Sequence, residues 1–145
     1  MTSGPGAPRT TIDDVLAAAR ASIRRWQPAE AWAAAQAGEA LLVDTRSEDA
    51  LRRRGTVPGA LHIPLSVLPW RADPDCPWRD ARLTEAGLAT PVVVLCADGW
   101  SSSLAAALLV HIGWEQAGDL EGGVAAWAAA GLPLAGGPRG VSSRA

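Results

Sequence analysis

Residues 91–96, with the sequence PVVVLC, form an uninterrupted run of apolar and mostly β-branched residues. A run that is apolar on both of its faces is typical of a central strand in a parallel sheet. Shorter apolar runs at 40–44 and 60–64, and a weaker strand candidate at 114–120, alternate with segments whose apolar residues have helical spacing. This alternation predicts an α/β domain in which helices cover both faces of a mostly parallel sheet.

The helices are predicted from apolar residues at three- and four-residue spacing and from residues that favour helix ends. Thr10 or Thr11 is expected to cap an N-terminal helix at about 11–25, and Pro28 and Gly38 mark the two ends of a second helix. Further helices are predicted within 47–55, 83–89, 102–112 and 122–133.

The helix predicted at 102–112 follows the central strand after a short turn. A serine of the run 101–103 is expected to cap its N-terminus. Its buried face is expected from residues that share one side of the helix. These residues are Leu104, Leu108 and Ile112, with Ala105 and Leu109 beside them.

The predicted elements form a single domain over 11–135 that includes the N-terminal helix. The flanking residues 1–10 and 136–145 are rich in glycine, proline and small polar residues, and we expect them to be disordered tails. Between 68 and 80, three prolines predict a surface loop rather than a regular helix.

The composition limits the kinds of function that the chain can have. All 13 basic residues are arginine, which excludes mechanisms that need a lysine amine, such as a P-loop or a Schiff base. The net charge is −2 and the arginines are spread along the chain, so neither a nucleic-acid partner nor a membrane contact is expected. No signal-peptide core and no apolar run of about 18 residues is visible, which predicts a cytoplasmic protein.

The chain has two cysteines and two histidines. Cys76 and Cys96 are not expected to form a structural disulfide in a reducing compartment. His62 and His111 lie far from both cysteines in the sequence and lack metal-ligand spacing, so we predict no metal site and no cofactor. Cys76 lies in the proline-rich segment, where an incidental thiol is a better interpretation than a resolving thiol.

Cys96 stands where the central strand ends, and a helix is predicted to begin at Ser101 or Ser102. The intervening turn should direct several backbone N–H groups and the positive end of the helix dipole at the cysteine sulfur. Gly99 permits this turn, while the charge of Asp98 opposes the thiolate. The setting favours a reactive thiolate over the alternative, in which the cysteine is a small buried hydrophobic residue.

Four motifs in a fixed order make the chain from about 27 to 134 resemble the rhodanese-like domains. They are LLVDTR at 41–46, GTVPGALHIP at 55–64, VVVLCADGWSS at 92–102 and LEGGVAAWAAAGLP at 120–133. The first is similar to the Asp-x-Arg strand end of that family, and the third is similar to its Cys-x-x-Gly-x-Arg loop. Each motif is modest by itself, but the ordered set is specific.

The resemblance implies a doubly wound α/β fold with a five-stranded parallel sheet flanked by helices. It also implies a sulfurtransferase or persulfide carrier in which Cys96 accepts a sulfane sulfur as a persulfide. A small molecule or a protein would donate the sulfur, and a thiol would accept it. The other site residues that it implies are the loop residues Ala97, Asp98, Gly99, Trp100, Ser101 and Ser102, the supporting residues Asp44 and Arg46, and the turn residues Gly122 and Gly123.

Ser101 stands where the family commonly has an arginine. Without that cation the loop is less suited to thiosulfate and still less suited to phosphoryl transfer, so persulfides are favoured as donors. Two other functions stay open at this point. One is a non-catalytic rhodanese-fold module that binds a protein partner, and the other is a cysteine phosphatase.

Four residues near the expected site have two interpretations each. Arg46 either adds positive charge at the site or forms a structural ion pair. Trp100 either walls the sulfur pocket or packs in the core, and Trp70 and Trp78 either cover the pocket or anchor their loop.

Overall fold

The computed structural model describes residues 8–137. The strands are β1 (Arg24–Trp26), β2 (Leu41–Asp44), β3 (Leu61–His62), β4 (Val92–Leu95) and β5 (Ala117–Leu120). The helices are α1 (Ile12–Ala21), α2 (Pro28–Gln36), α3 (Glu48–Arg54), α4 (Leu68–Ala72), α5 (Ala81–Thr84), α6 (Ser101–His111) and α7 (Gly123–Ala129). Among the described residues, no helix has the length and apolar composition that crossing a bilayer requires. The outer parts of the predicted tails, 1–7 and 138–145, lie outside the described residues.

The five strands form one sheet in the order β1-β5-β4-β2-β3, and every neighbouring pair is parallel. β4 lies at the centre, where Val94 pairs with Val43 of β2 on one side and with Asp119 of β5 on the other. All four residues of β4 are buried, as its continuous apolar sequence predicts. The predicted α/β fold with a five-stranded parallel sheet flanked by helices is confirmed.

β4 contributes to two apolar cores, because successive side chains of a strand point to opposite faces of the sheet. Val92 and Val94 pack in one core with residues of α4, α5 and α6. Val93 and Leu95 pack in the other with residues of α2 and α7. Helices therefore cover both faces, and the carboxyl end of β4 points to the sheet edge where ligands bind in such folds.

The N-terminal helix is shorter than predicted, because an edge strand follows it. α1 begins after Thr11, whose hydroxyl accepts a hydrogen bond from the amide of Asp14 while the Asp14 carboxylate accepts one from the Thr11 amide. The helix ends at Ala21, and residues Arg24–Trp26 pair with β5. This strand is not visible as a sequence pattern, because it has three residues, two of them arginine.

The proline-rich segment begins with a short helix, so the loop prediction is wrong for its first part. α4 spans Leu68–Ala72, with Pro69 in its first turn. Proline fits there because the first amides of a helix have no partner within the helix. Residues 73–80 form turns, as predicted.

α6 buries only part of the predicted face. Ala105 and Leu109 are buried, as predicted, and so are Ala106 and the two serines of the first turn, whereas Leu108 is 41% exposed and Leu104 and Ile112 are half-buried. Because α6 is apolar around most of its circumference, leucine spacing does not identify the face that packs on the sheet. Small residues line that face and let the helix lie close to the strands.

Candidate active site

Cys96 directly follows β4 and is buried beside the N-terminus of α6. Its Sγ accepts hydrogen bonds from the backbone amides of Gly99, at 3.1 Å, and Ser102, at 3.4 Å. The turn between them uses a φ of +86° at Gly99, a conformation that favours glycine. A side chain there would also meet the neighbouring turn, because a Cβ would lie 2.7 Å from the nitrogen of Gly122.

The surroundings of Cys96 favour its thiolate. Burial is the largest single influence and raises the pKa of the thiol, because the interior solvates the anion poorly. Hydrogen bonds from Ser102, Ser101 and Gly99 act in the opposite direction, and together they hold the pKa below its usual value of 9.0. Since the thiolate is the nucleophilic form of cysteine, the site is suited to attack on an electrophilic sulfur.

The serines after the loop bond to a buried acid instead of capping α6, so the predicted serine cap is wrong. Trp100 is the N-cap residue of the helix. The hydroxyls of Ser102 and Ser103 donate to Oδ2 of Asp119, at 2.8 and 2.7 Å. Because the Ser102 hydroxyl has one proton and donates it to Asp119, the hydrogen bond from Ser102 to the sulfur comes from its backbone amide.

Asp119 joins the start of α6 to the edge strand β1. Its side chain is fully buried and also accepts hydrogen bonds from Nε and Nη2 of Arg25, at 3.0 and 3.3 Å. A carboxylate in the interior needs such partners, because an unpaired buried charge is costly. Sequence reasoning missed this residue, although an acid inside an otherwise apolar strand is a signal of a buried polar contact.

Two arginines from α1 and β1 hold the cysteine loop from outside. Nη2 of Arg20 and Nη2 of Arg25 donate to the carbonyl oxygen of Gly99, at 2.8 and 3.1 Å. The Arg20 guanidinium also lies over Trp100, 5.8 Å from the ring centroid. Both cations lie beside the cysteine loop, and the hydrogen bonds that they form with the loop go to its backbone. Sequence reasoning missed both.

The N-terminus of α7 contacts the loop on its other side. The amides of Val124 and Ala125 donate to the carbonyl oxygens of Cys96 and Ala97, at 2.9 and 3.0 Å. Gly123 makes this approach possible, since its φ is +64° and a Cβ there would lie 2.6 Å from both carbonyl oxygens. The glycine turn that the sequence indicated therefore lies directly against the cysteine loop.

Asp44 and Arg46 lie at the carboxyl end of β2, the strand beside β4. They form a buried ion pair with 2.7 Å between Nη2 and Oδ2, and Arg46 also donates to the Gly55 carbonyl oxygen at 2.9 Å. Of the two interpretations of Arg46, this geometry matches the structural ion pair. Thr45 between them, which sequence reasoning missed, donates its hydroxyl to the Leu95 carbonyl oxygen at 2.7 Å and so ties the two strand ends together.

Trp70, Trp78 and Trp100 are all exposed, so none of them is a core residue. Trp100 is 61% exposed at the loop, and its neighbours Ala97 and Asp98 are exposed as well. Trp70 and Trp78 lie on α4 and on the turns that follow it. That Trp70 and Trp78 cover the sulfur pocket therefore stays a prediction.

Cys76 and His62 form contacts outside the cysteine loop. Cys76 and Cys96, which both lie within the described residues, are free thiols. The Sγ of Cys76 accepts a hydrogen bond from the amide of Trp78 at 3.4 Å. Nε2 of His62 lies 2.7 Å from the carbonyl oxygen of Arg46. His111 is the last residue of α6.

Comparison with known families agrees with this loop and sheet. The family model of the rhodanese-like domain matches residues 27–130. The chain belongs to the rhodanese-like domain family. In this rhodanese-like domain, the loop-binding residues Arg20 and Arg25 precede the part that the family model matches.

Three proteins illustrate what this chain is similar to. A sulfurtransferase from Allochromatium vinosum is 32% identical over 96 residues, which cover 66% of this chain and 78% of that protein. A protein of unknown function from Rhodopseudomonas palustris, described as a possible tyrosine phosphatase, is 29% identical, with a TM-score of 0.79 and coverage of 91% of this chain and 99% of that one. A human single-domain sulfurtransferase is 27% identical, with a TM-score of 0.62 and coverage of 72% of this chain and 95% of that one.

Proposed function

We propose that this rhodanese-like domain is a sulfurtransferase that transfers sulfane sulfur through a persulfide on Cys96. The observation behind the proposal is that Cys96, a buried thiol of lowered pKa at the carboxyl end of the central strand, accepts hydrogen bonds from two backbone amides. The similarity to sulfurtransferases from Allochromatium vinosum and human supports the same class of reaction.

The transfer has two steps, each of which moves one sulfur atom without an external oxidant. The Cys96 thiolate first attacks the outer sulfur of the donor, so that a bond forms between the two sulfurs and the donor's bond to its outer sulfur breaks, with the electron pair leaving on the donor. An acceptor thiolate then attacks the outer sulfur of the persulfide and releases the Cys96 thiolate. The amides of Gly99 and Ser102 stabilise negative charge on sulfur throughout.

Ser101 favours donors whose leaving group is a thiolate. An arginine at this position would bind the sulfonate oxygens of thiosulfate through two parallel hydrogen bonds, and a serine hydroxyl has no comparable charge or geometry. We therefore propose persulfides of small molecules or of proteins as donors and a thiol as the acceptor. A cytoplasmic location, where thiols are kept reduced, fits such an acceptor.

The test is steady-state transfer of sulfur from a low-molecular-weight persulfide to a thiol, with three forms of the protein. Cys96→Ser should reduce the rate at least about a hundredfold, because it removes the nucleophile. Cys76→Ser removes the other thiol and should leave the rate unchanged. Wild-type rates in Cys96→Ser would contradict the proposal. The absence of transfer by wild type with every donor would also contradict it and would favour the non-catalytic binding module.

A cysteine phosphatase is the second candidate, and the similarity to the Rhodopseudomonas palustris protein is the observation in its favour. Phosphoryl transfer needs cations or donors that stabilise the equatorial oxygens, and residues 97–102 contain no arginine. Hydrolysis of an aryl phosphate that depends on Cys96 would favour the phosphatase over the sulfurtransferase.

A further inference from the structure

An apolar cavity of about 230 Å³ lies beside the cysteine loop, between α4 and α6. Ser101 lines the cavity where it meets the loop. Among the described residues that line it, Ser101 alone is polar and none is charged. The apolar walls include Leu65, Leu68, Leu104, Leu108 and Leu109.

The cavity and the cysteine lie on the same side of the sheet and share Ser101. The Sγ of Cys96 accepts a hydrogen bond from the amide of Ser102 in the first turn of α6. The next turns of the same helix form one wall of the cavity. Ser101, which lines the cavity, directly precedes Ser102 in this turn. Groups attached to a sulfur that reacts with Cys96 are therefore within reach of the cavity.

We propose that the cavity binds the apolar organic group of the sulfur donor, so that the domain prefers hydrophobic organosulfur donors. The inference rests on the sulfurtransferase function proposed above. The volume of the cavity suits this occupant, because an apolar cavity of about 150 Å³ holds benzene. Its lining suits it too, since an arginine at Ser101 would place a cation in the wall, whereas the serine leaves the wall uncharged.

The reaction with benzyl hydropersulfide shows how such a donor would be used, because its leaving group is a thiolate. The Cys96 thiolate attacks the outer sulfur of this donor, and a sulfur–sulfur bond forms to Cys96. The bond between the two sulfurs of the donor breaks, and the benzyl thiolate leaves with the electron pair. The outer sulfur keeps its proton as the Cys96 persulfide, so no oxidant or reductant is consumed.

The test compares benzyl hydropersulfide, the phenyl donor, with methyl hydropersulfide, the methyl donor, which have the same reacting group and the same charge and differ in the organic group. Each kcat/KM is divided by the rate of the same donor with free dithiothreitol, which removes the difference in intrinsic reactivity. We expect wild type to prefer the phenyl donor by about tenfold or more, because the phenyl group buries several more carbons.

Leu108→Gln and Leu88→Gln provide a matched pair of variants. Leu108 lines the cavity and is 41% exposed, whereas Leu88 is 39% exposed and lies outside the lining. Leu108→Gln should reduce the preference for the phenyl donor about fivefold with little effect on the methyl donor, and Leu88→Gln should leave the preference unchanged. Leu65→Gln, on a different wall and 42% exposed, should act like Leu108→Gln and replaces it if that variant is unstable.

The outcomes separate this inference from the proposed function. Equal normalised rates for the two donors, with sulfur loaded on Cys96 by both, would overturn the cavity inference and leave sulfur transfer intact. An equal loss of preference in Leu108→Gln and Leu88→Gln would also overturn it. If neither donor loads Cys96, the proposed function itself fails.

Discussion

Gly123→Ala should destabilise the domain much more than Gly131→Ala, although the two glycines lie at the two ends of α7. Both have left-handed backbone angles, with φ of +64° at Gly123 and +75° at Gly131. A Cβ on Gly131 has no neighbour within 4 Å among the described residues. A Cβ on Gly123 would lie 2.6 Å from the carbonyl oxygens of Cys96 and Ala97. The pair therefore isolates the contact between the glycine turn and the cysteine loop.

The expected free energies follow from these contacts. Left-handed strain costs an alanine roughly 1 kcal/mol, and it applies to both variants. At Gly123 the turn must also move away from the loop, which weakens two hydrogen bonds, from Val124 and Ala125, of about 1 kcal/mol each. The free energy of unfolding should thus fall by about 1 kcal/mol in Gly131→Ala and by about 3 kcal/mol in Gly123→Ala.

Urea unfolding followed by circular dichroism measures both values, and alkylation of Cys96 by iodoacetamide reports on the loop in the native state. We expect Gly123→Ala to change the alkylation rate as well as the stability, because the displaced carbonyl belongs to Cys96. Gly131→Ala should leave the alkylation rate at the wild-type value. An equal loss of stability in the two variants would refute the reasoning that the glycine turn restrains the loop.

The remaining predictions concern the thiolate and the buried acid. Ser101→Ala removes one of the side chains that lower the pKa of Cys96, so the pH midpoint of its alkylation by iodoacetamide should rise. An unchanged midpoint would mean that Ser101 does not lower this pKa. Folding lowers the pKa of Cys96, so the free energy of unfolding of wild type should rise relative to that of Cys96→Ser as the pH increases from the folded pKa to the unfolded value near 9.0. The difference should disappear as the pH falls below the folded pKa. Urea titrations of both proteins that show no such trend would contradict this. Asp119→Ala leaves Arg25 without its buried partner and should cost about 3 kcal/mol in urea unfolding, whereas a loss below about 1 kcal/mol would mean that the charge is compensated by water.

The central strand and its cysteine could be predicted because their signals are local. Val92–Leu95 is buried on both faces, and its sequence is apolar at every position, so the strand and its place in the sheet follow directly. Gly99 and the helix that follows it are also recognisable in the local sequence, so the hydrogen bonds from the loop amides to Cys96 could be expected. The same reasoning could not identify β1, since three residues are too few for a period to show.

The supports of the loop could not be predicted, because they join residues that are distant in the chain. The bonds from Arg20 and Arg25 to the Gly99 carbonyl span 79 and 74 positions, and nothing in the local sequence distinguishes these arginines from solvated ones. The serine run was misassigned for a related reason. Its hydroxyls suit a helix cap by type, but Asp119 is close enough to accept two of them and needs the donors more, because it is buried.

Intact-protein mass spectrometry after incubation with a small-molecule persulfide tests the persulfide on Cys96 most directly. Wild type and Cys76→Ser should each gain the mass of one sulfur atom, which dithiothreitol removes, and Cys96→Ser should keep its unmodified mass. A sulfur gained by Cys96→Ser, or a wild-type protein that stays unmodified with every donor, would contradict sulfur transfer through Cys96.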